Sequence, residues 1–308
     1  MPSREFFSCD WGTSHFRVRL VNSATLEVRD ERVSEEGVSS IFRASSTDDR
    51  PALFAGVLGR HLHEVIAESG TGADRCVISG MASSTIGWVD LPYAVAPLPL
   101  HPSRLERTTF LLPVDGRDIS IVLVSGIRTT DDVMRGEECE LLGLLELCPE
   151  LVQERCLVVL PGTHSKHIVM EGRILADFQT FMTGELFAHL RKMPTLSPML
   201  EDEGDESDFL RGVRSARDVG LTAALFKIRA RRVIGGARHG ASAAFLSGLL
   251  IGDELLHTPD GLAVYLAGAG HLHSLYLRAG EALGLSVRAL SPEILRQAVV
   301  CAHRMMVL

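Results

Sequence analysis

Cys9-Asp10-Trp11-Gly12-Thr13-Ser14 puts a carboxylate, a glycine and two hydroxyls in one short turn, between the apolar pair Phe6-Phe7 and the apolar-rich residues 16–21. A turn of this make-up between two strands can present several backbone N–H groups and both hydroxyls to a phosphate. Asp10, at the end of the first strand, is then placed to hold a hydrated Mg²⁺ against the phosphate oxygens. Two more glycine turns follow short apolar strands. Pro161-Gly162-Thr163-His164-Ser165 comes after residues 156–160, and Gly268-Ala269-Gly270 after residues 264–267. Backbone at the third turn can approach an adenosine with no Cβ in the way. Each turn taken singly is equally well a plain loop. Their order and spacing predict an ATP-dependent phosphotransferase using ATP and Mg²⁺. Gly12, Thr13 and Ser14 would hold one end of the polyphosphate, Gly162 and Thr163 the other, and Gly268, Ala269 and Gly270 the adenosine.

Other chemistries fail on spacing. No G-x-x-x-x-G-K-[ST] is present, and Gly268-Ala269-Gly270 is followed by no third small residue, so neither a P-loop nor a dinucleotide fingerprint is met. The pairs His61/His63, His164/His167 and His271/His273 lack a third ligand at a metal-site spacing. Six cysteines without a C-x-x-C pair predict reduced thiols and a cytoplasmic protein. The N-terminal residues lack an apolar leader, and no apolar run approaches the roughly 18–20 residues of a membrane span. Net charge is −8, but EDEGDESD at residues 201–208 carries most of it, so no long-range field favours a nucleic acid. The basic run KIRARR at residues 227–232 reads as a solvated helix face or a partner of that acidic loop. Small-molecule partners are expected, and a homo-oligomer is compatible with the sequence.

These turns need strands and helices to hold them. Residues 6–22 read as a hairpin, 52–69 as an amphipathic helix, 76–79 and 119–125 as strands, and 136–148 as a leucine-rich helix. The strand, turn and return-strand pattern recurs at 156–170. Beyond residue 176 the reading is mostly helical, with an apolar helix over 241–257, strands at 264–267 and 286–290, and a last helix opened by Pro292. Strand hairpins that begin each half, with helices after them, predict two α/β halves. The expected domains are 1–150, with the first phosphate turn and an acceptor site, and 151–308, with the second phosphate turn and the adenosine site. The last helix is free to pack back on the first domain.

The chain also resembles a known family. DWGTSHFRVRL (residues 10–20), GMASSTIGWVDLPY (80–93), DVMRGEECELLG (132–143), LPGTHSKH (160–167), MTGEL (182–186), FLSGLLIGDE (245–254) and LAGAGH (266–271) are similar to the 2-dehydro-3-deoxygalactonokinase family of the actin, Hsp70 and sugar-kinase superfamily. The resemblance runs the whole length. It implies a two-domain actin-like ATPase, or ribonuclease H-like, fold with ATP in an interdomain cleft. It further implies phosphorylation of the terminal 6-hydroxyl of 2-dehydro-3-deoxy-D-galactonate in galactonate catabolism, with an aldolase consuming the product. The second turn departs from the superfamily pattern, since Pro161 stands where an Asp is usual. That leaves Asp10 as the main metal anchor.

On this resemblance, a carboxylate must take the proton of the sugar hydroxyl. Asp132 is the first choice and Asp131 the second, since related kinases place their base before a helix; either is equally explained as a helix cap. Arg135, Ser83, Ser84, Trp88 and Glu137 are assigned to the carboxylate and hydroxyls of the substrate. Trp88 also reads as a core anchor, and Glu137 and Glu138 as first-turn charges on a helix. Arg17 is placed to reach the transferring phosphate, or is a plain strand position. Lys166 would neutralise phosphate and His164 donate to it. The alternatives are a same-fold kinase of another sugar acid, such as 2-keto-3-deoxygluconate, and a non-catalytic nucleotide-binding regulator.

Overall fold

A computed structural model describes residues 4–200, 203–235 and 242–307. The chain divides into two compact units. The first comprises Met1–Gln153, Arg173–Ala176 and Glu293–Leu308, and the second Glu154–Gly172 and Asp177–Pro292.

The first unit is built on strands β1 (Glu5–Trp11), β2 (Phe16–Asn22), β3 (Val28–Ser34) and β4 (Arg75–Gly80). The short strands β5 (Ala94–Val95) and β6 (Leu98–Pro99) follow, then β7 (Arg107–Val114) and β8 (Arg117–Val124). They form a sheet of order β3-β2-β1-β4-β8-β7, with β1, β4 and β8 parallel. Two more short strands, β9 (Ile127–Arg128) and β10 (Val133–Met134), make a small sheet with β5. Its helices are α1 (Val38–Ala44), α2 (Arg50–Ser69) and α3 (Glu137–Leu147), joined by the C-terminal α9 (Pro292–Val307). On α2 the residues Phe54, Leu58, Leu62, Val65 and Ile66 recur at helical spacing and are buried in one core with Phe7, Cys9, Trp11, Phe16 and Ile78. Each such side chain contributes about 1.5–3 kcal/mol.

The second unit repeats the plan. It contains β11 (Arg155–Leu160), β12 (Ser165–Glu171), β13 (Ile174–Phe181), β14 (Ala263–Leu266) and β15 (Val287–Ala289), in the order β15-β14-β11-β12-β13. Residues 173–176 belong with the first unit, where Ile174 and Leu175 pair with β6. In both units a central strand has an antiparallel hairpin partner on one side and a parallel strand on the other. Helices α4 (Thr183–Leu190), α5 (Glu206–Val219), α6 (Leu221–Gly235), α7 (Ala243–Leu255) and α8 (Gly270–Leu283) complete it. Its core joins Leu157, Val159, Val264 and Leu266 of the sheet to Phe209, Val213, Ile251 and Tyr276 of the helices.

The sequence reading misses β3, β7 and β13. β3 is an edge strand whose largely charged, mostly exposed side chains leave a thin apolar signal, whereas β7 carries the apolar residues 110–114, which the reading passed over. All six cysteines are free and buried. Among the described residues no helix is long and apolar enough to cross a membrane. Glu201 and Asp202 of the acidic run, and Ala241 of the expected helix, lie outside the described residues.

Candidate active site

In the first unit Asp10 lies opposite Arg17 across the hairpin and beside Ser79 of β4. The turn between β1 and β2 closes through the Gly12 amide, which donates to the His15 carbonyl at 2.9 Å. Its own carbonyls are taken by the first amides of α1, Val38 to Gly12 O and Ser39 to Thr13 O, both at 3.0 Å. Thr13 and Ser14 remain exposed. Burial pushes the Asp10 pKa up, Arg17 and Arg19 draw it down, and Glu137 pushes it up again. The Nε of Arg17 is buried without a hydrogen bond among the described residues, with Glu31 Oε2 4.0 Å away. An orphaned cationic donor one strand across from Asp10 suits an anion.

Helix α3 starts against this turn because two glycines meet. Gly80 ends β4 at φ +94° and Gly136 precedes α3 at φ +111°, and a Cβ on Gly136 would lie 3.3 Å from Gly80 Cα. The first acids of the helix then reach back to the two amides that precede it. Arg135 N–H donates to Glu137 Oε2 at 2.9 Å and Gly136 N–H to Glu138 Oε2 at 2.7 Å. Burial, then the charge of Glu137, pushes Glu138 up to about 8. Burial, then Glu137 and Asp10, pushes Glu140 up to about 7. Glu138 Oε1 is buried with no hydrogen-bond partner among the described residues. Asp10, Glu138 and Glu140 thus form a group of carboxylates around Glu137 whose ionisation is disfavoured.

Beneath it His303 of α9 sits between Ser8 Oγ, 2.8 Å from Nδ1, and Ser79 Oγ, 3.0 Å from Nε2. Burial, then Arg19, depresses its pKa to about 3, so the ring is neutral.

The residues assigned to the acceptor fall into two groups. Arg135 and Ser83 are brought together: Nη1 donates to Ser83 O at 2.5 Å and Ser83 Oγ at 2.7 Å, and the guanidinium lies over the Tyr93 ring at 4.1 Å. Ser83 and Ser84 are buried, and Ser84 Oγ donates to Met81 O. Trp88 packs among Phe54, Phe110 and Trp11 as a core anchor. Asp131 and Asp132 lie in the turn between β9 and β10, so the structure puts a hairpin where the sequence reading expects a loop leading straight into a helix. Neither caps α3, whose preceding residue is Gly136. Asp131 Oδ1 accepts from the Thr129 and Thr130 hydroxyls, and Asp132 Oδ1 from Val133 N–H at 2.7 Å.

In the second unit the turn at residues 161–164 is backed by the start of α4. Glu185 N–H donates to Thr163 O at 3.0 Å, and a Cβ on Gly184 would lie 2.5 Å from Gly162 O. His164 Nε2 pairs with Glu185 Oε2 at 2.5 Å, and Lys166 is buried in β12. The turn opens on a cavity of about 730 Å³. Gly162 and Thr163, the α4 start at Thr183 and Gly184, Ser247 of α7, and His271, Leu272 and Leu275 of α8 line it. Gly268 packs just behind the wall, where a Cβ would meet Pro161 Cγ at 3.2 Å, while Ala269 precedes α8 and Gly270 opens it at φ +59°. The acidic loop has a place too. Glu203, Asp205 and Glu206 line the cavity, Asp205 caps α5, and Glu203 and Glu206 pair with Arg191 and Arg278.

Sequence reasoning passed over Thr183, Ser165, Glu254 and Tyr276, which are buried together under the second turn. Thr183 and Glu254 stand in the MTGEL and FLSGLLIGDE stretches, and a glutamate at the end of an apolar helix was the available signal.

Residues 10–302 match the model of the family described as 2-keto-3-deoxy-galactonokinase. A protein from Rhizobium meliloti (strain 1021), named as a probable 2-dehydro-3-deoxygalactonokinase, is 33% identical over 97% of this chain and 96% of its own length. The 2-dehydro-3-deoxygalactonokinase of Escherichia coli (strain K12) is 29% identical over 95% of both chains. A crystal structure from Sinorhizobium meliloti, titled with the same activity name, superposes with a TM-score of 0.77 at 32% identity, covering 97% of this chain and 96% of that one.

Proposed function

The chain belongs to the 2-keto-3-deoxy-galactonokinase family, and from that membership we propose that it transfers the γ-phosphoryl group of ATP to the terminal 6-hydroxyl of 2-dehydro-3-deoxy-D-galactonate. The observation that carries this reading is the full-length match to a kinase family whose fold, that of actin, Hsp70 and the sugar kinases, this chain shares. Two hairpins with phosphate-type turns begin the two repeated sheets, and the second turn opens on a cavity large enough for a nucleoside.

In this reading the first unit serves the acceptor and the second the nucleotide. Gly12, Thr13 and Ser14 bind phosphate oxygens through amides and hydroxyls, and Arg17 offers its orphaned Nε to the transferring group. Within the second unit Gly162 and Thr163 receive phosphate, with the nucleoside in the cavity against α8. Arg135, held on Tyr93 and Ser83, faces the sugar-acid carboxylate. Asp132, ahead of Asp131, orients the 6-hydroxyl and takes its proton.

A divalent cation fits this site. The charge of Glu137 pushes up the pKa of Asp10, Glu138 and Glu140, a repulsion that a cation would relieve, and Mg²⁺ is usually held largely through its waters by one or two carboxylates. Asp10 would hold Mg²⁺, which when bound neutralises phosphate charge.

The test is turnover of ATP with 2-dehydro-3-deoxygalactonate and with its gluconate-derived epimer. The galactonate-derived acid should give the higher kcat/KM. Preference for the epimer refutes the substrate, and ATP binding without turnover of either favours a regulator. Asp132→Asn should lower kcat by about 10²–10⁴ with little change in KM; the same loss in Asp131→Asn alone moves the base to Asp131.

A further inference from the structure

Under the second turn, one buried carboxylate collects four elements. Glu254 of α7 is 1% exposed. Its Oε2 accepts from the Tyr276 phenol of α8 at 2.7 Å and from the Thr183 hydroxyl of α4, and its Oε1 meets His167 Nε2 of β12 at 3.0 Å. Tyr276 Oη lies 2.9 Å from Ser165 Oγ, which in turn takes the Gly162 amide at 3.4 Å.

Tyr276 has a single hydroxyl proton and gives it to Glu254 Oε2, so the direction of this chain is forced. Gly162 N–H donates to Ser165 Oγ, Ser165 O–H to Tyr276 Oη, and Tyr276 O–H to Glu254. Burial and the neighbouring carboxylate push the Tyr276 pKa well up, so the phenol keeps the proton it donates. Both ends of the arrangement reach the cavity, since Gly162, Thr183 and Tyr276 are in its wall.

We propose that Glu254 is a positioning residue for the nucleotide: by accepting from Tyr276 and Thr183 it holds the second turn and the first turn of α4 in the arrangement that receives ATP. The proposal rests on reading this cavity as the nucleotide site. It places Glu254 outside contact with substrate, acting through Tyr276, Ser165 and Thr183. A cluster that served stability alone would affect both substrates together. A positioning cluster affects the nucleotide first.

Tyr276→Phe removes one oxygen and severs Ser165 from Glu254 while keeping the ring packed. Thr183→Val severs α4, and Thr183→Ser restores its hydroxyl. For each variant the full-length protein is titrated with ADP by calorimetry, KM is measured for ATP and for the sugar acid, and a thermal melt is recorded. Tyr276→Phe and Thr183→Val are expected to weaken ADP binding and raise the ATP KM by about tenfold. The sugar-acid KM should stay within about twofold of wild type, and Thr183→Ser should bind ADP like wild type. ADP affinity unchanged in both breaking variants overturns the proposal, as does a parallel rise of both KM values that tracks lost melting temperature. Should Tyr276→Phe fail to fold, the Thr183 pair decides. Wild-type protein that binds ADP but leaves the sugar acid unphosphorylated would refute the assigned reaction alone, because the ADP titrations read positioning without turnover.

Discussion

A Cβ added to Gly80 would lie 2.7 Å from the carbonyl oxygen of Trp11, so the strand that carries Asp10 and the strand that ends at Gly80 are in backbone contact one residue beyond the carboxylate. Gly80 also sits at φ +94°, where an L side chain is strained. Gly80→Ala should therefore cost about 1–3 kcal/mol and push the end of β1, with Asp10, out of place. Denaturant melts and kcat should fall together, kcat by on the order of 10². A variant that melts and turns over like wild type would show that this contact yields freely.

Asp10→Asn separates chemistry from stability. Burial raises the Asp10 pKa in the folded chain, so ionising it is harder folded than unfolded, and the charge works against the fold at neutral pH. The neutral variant should melt at or above the wild-type temperature while kcat drops by about 10³ or more. Retained turnover in a folded Asp10→Asn protein would remove Asp10 from the metal and phosphate role.

Glu138 and His303 set opposite limbs of the stability profile. Burial pushes Glu138 up to about 8 in the folded chain, against an ordinary value of 4.5. Between those values the folded state holds a proton that the unfolded state lacks, so stability falls as pH rises through that window. His303 titrates near 3 against 6.5. There the unfolded state holds the extra proton, and stability falls as pH drops below 6.5. Each limb is worth on the order of a few kcal/mol. The two slopes oppose each other between pH 4.5 and 6.5, so in that window the urea midpoint should rise with pH in Glu138→Gln and fall with pH in His303→Asn, each relative to wild type. Unchanged slopes in both variants would contradict this.

Gly268→Val tests the third turn. A Cβ there would already stand 3.2 Å from Pro161 Cγ and 3.5 Å from His273 Cα, so the larger side chain presses on the second turn as well as on α8. The ATP KM should rise about tenfold or more before the sugar-acid KM moves, and ATP should protect the variant from melting less than it protects wild type. Equal protection by ATP would place the nucleoside elsewhere.

Much of the scaffold was legible because its signals are local. The first hairpin, the amphipathic spacing on α2, the leucines of α3, Pro292 at the start of α9 and the two Gly-Thr turns are each written within one short segment. Strand β3 was not, because an edge strand of largely charged residues leaves no periodic apolar trace.

What the sequence alone determined is the family, the strand context of the three glycine turns and the identity of Asp10 as a carboxylate at a strand end. Local pattern suffices for these, since turn chemistry and apolar period act over a few residues. Tertiary structure decided which polar groups cooperate. Glu254 finds His167 from 87 residues away and Thr183 from 71, and Ser165 finds Tyr276 from 111. His303 reaches Ser8 across 295 residues. Helix and sheet packing bring such groups together, and burial then obliges each donor to find its acceptor, a demand that no single segment encodes.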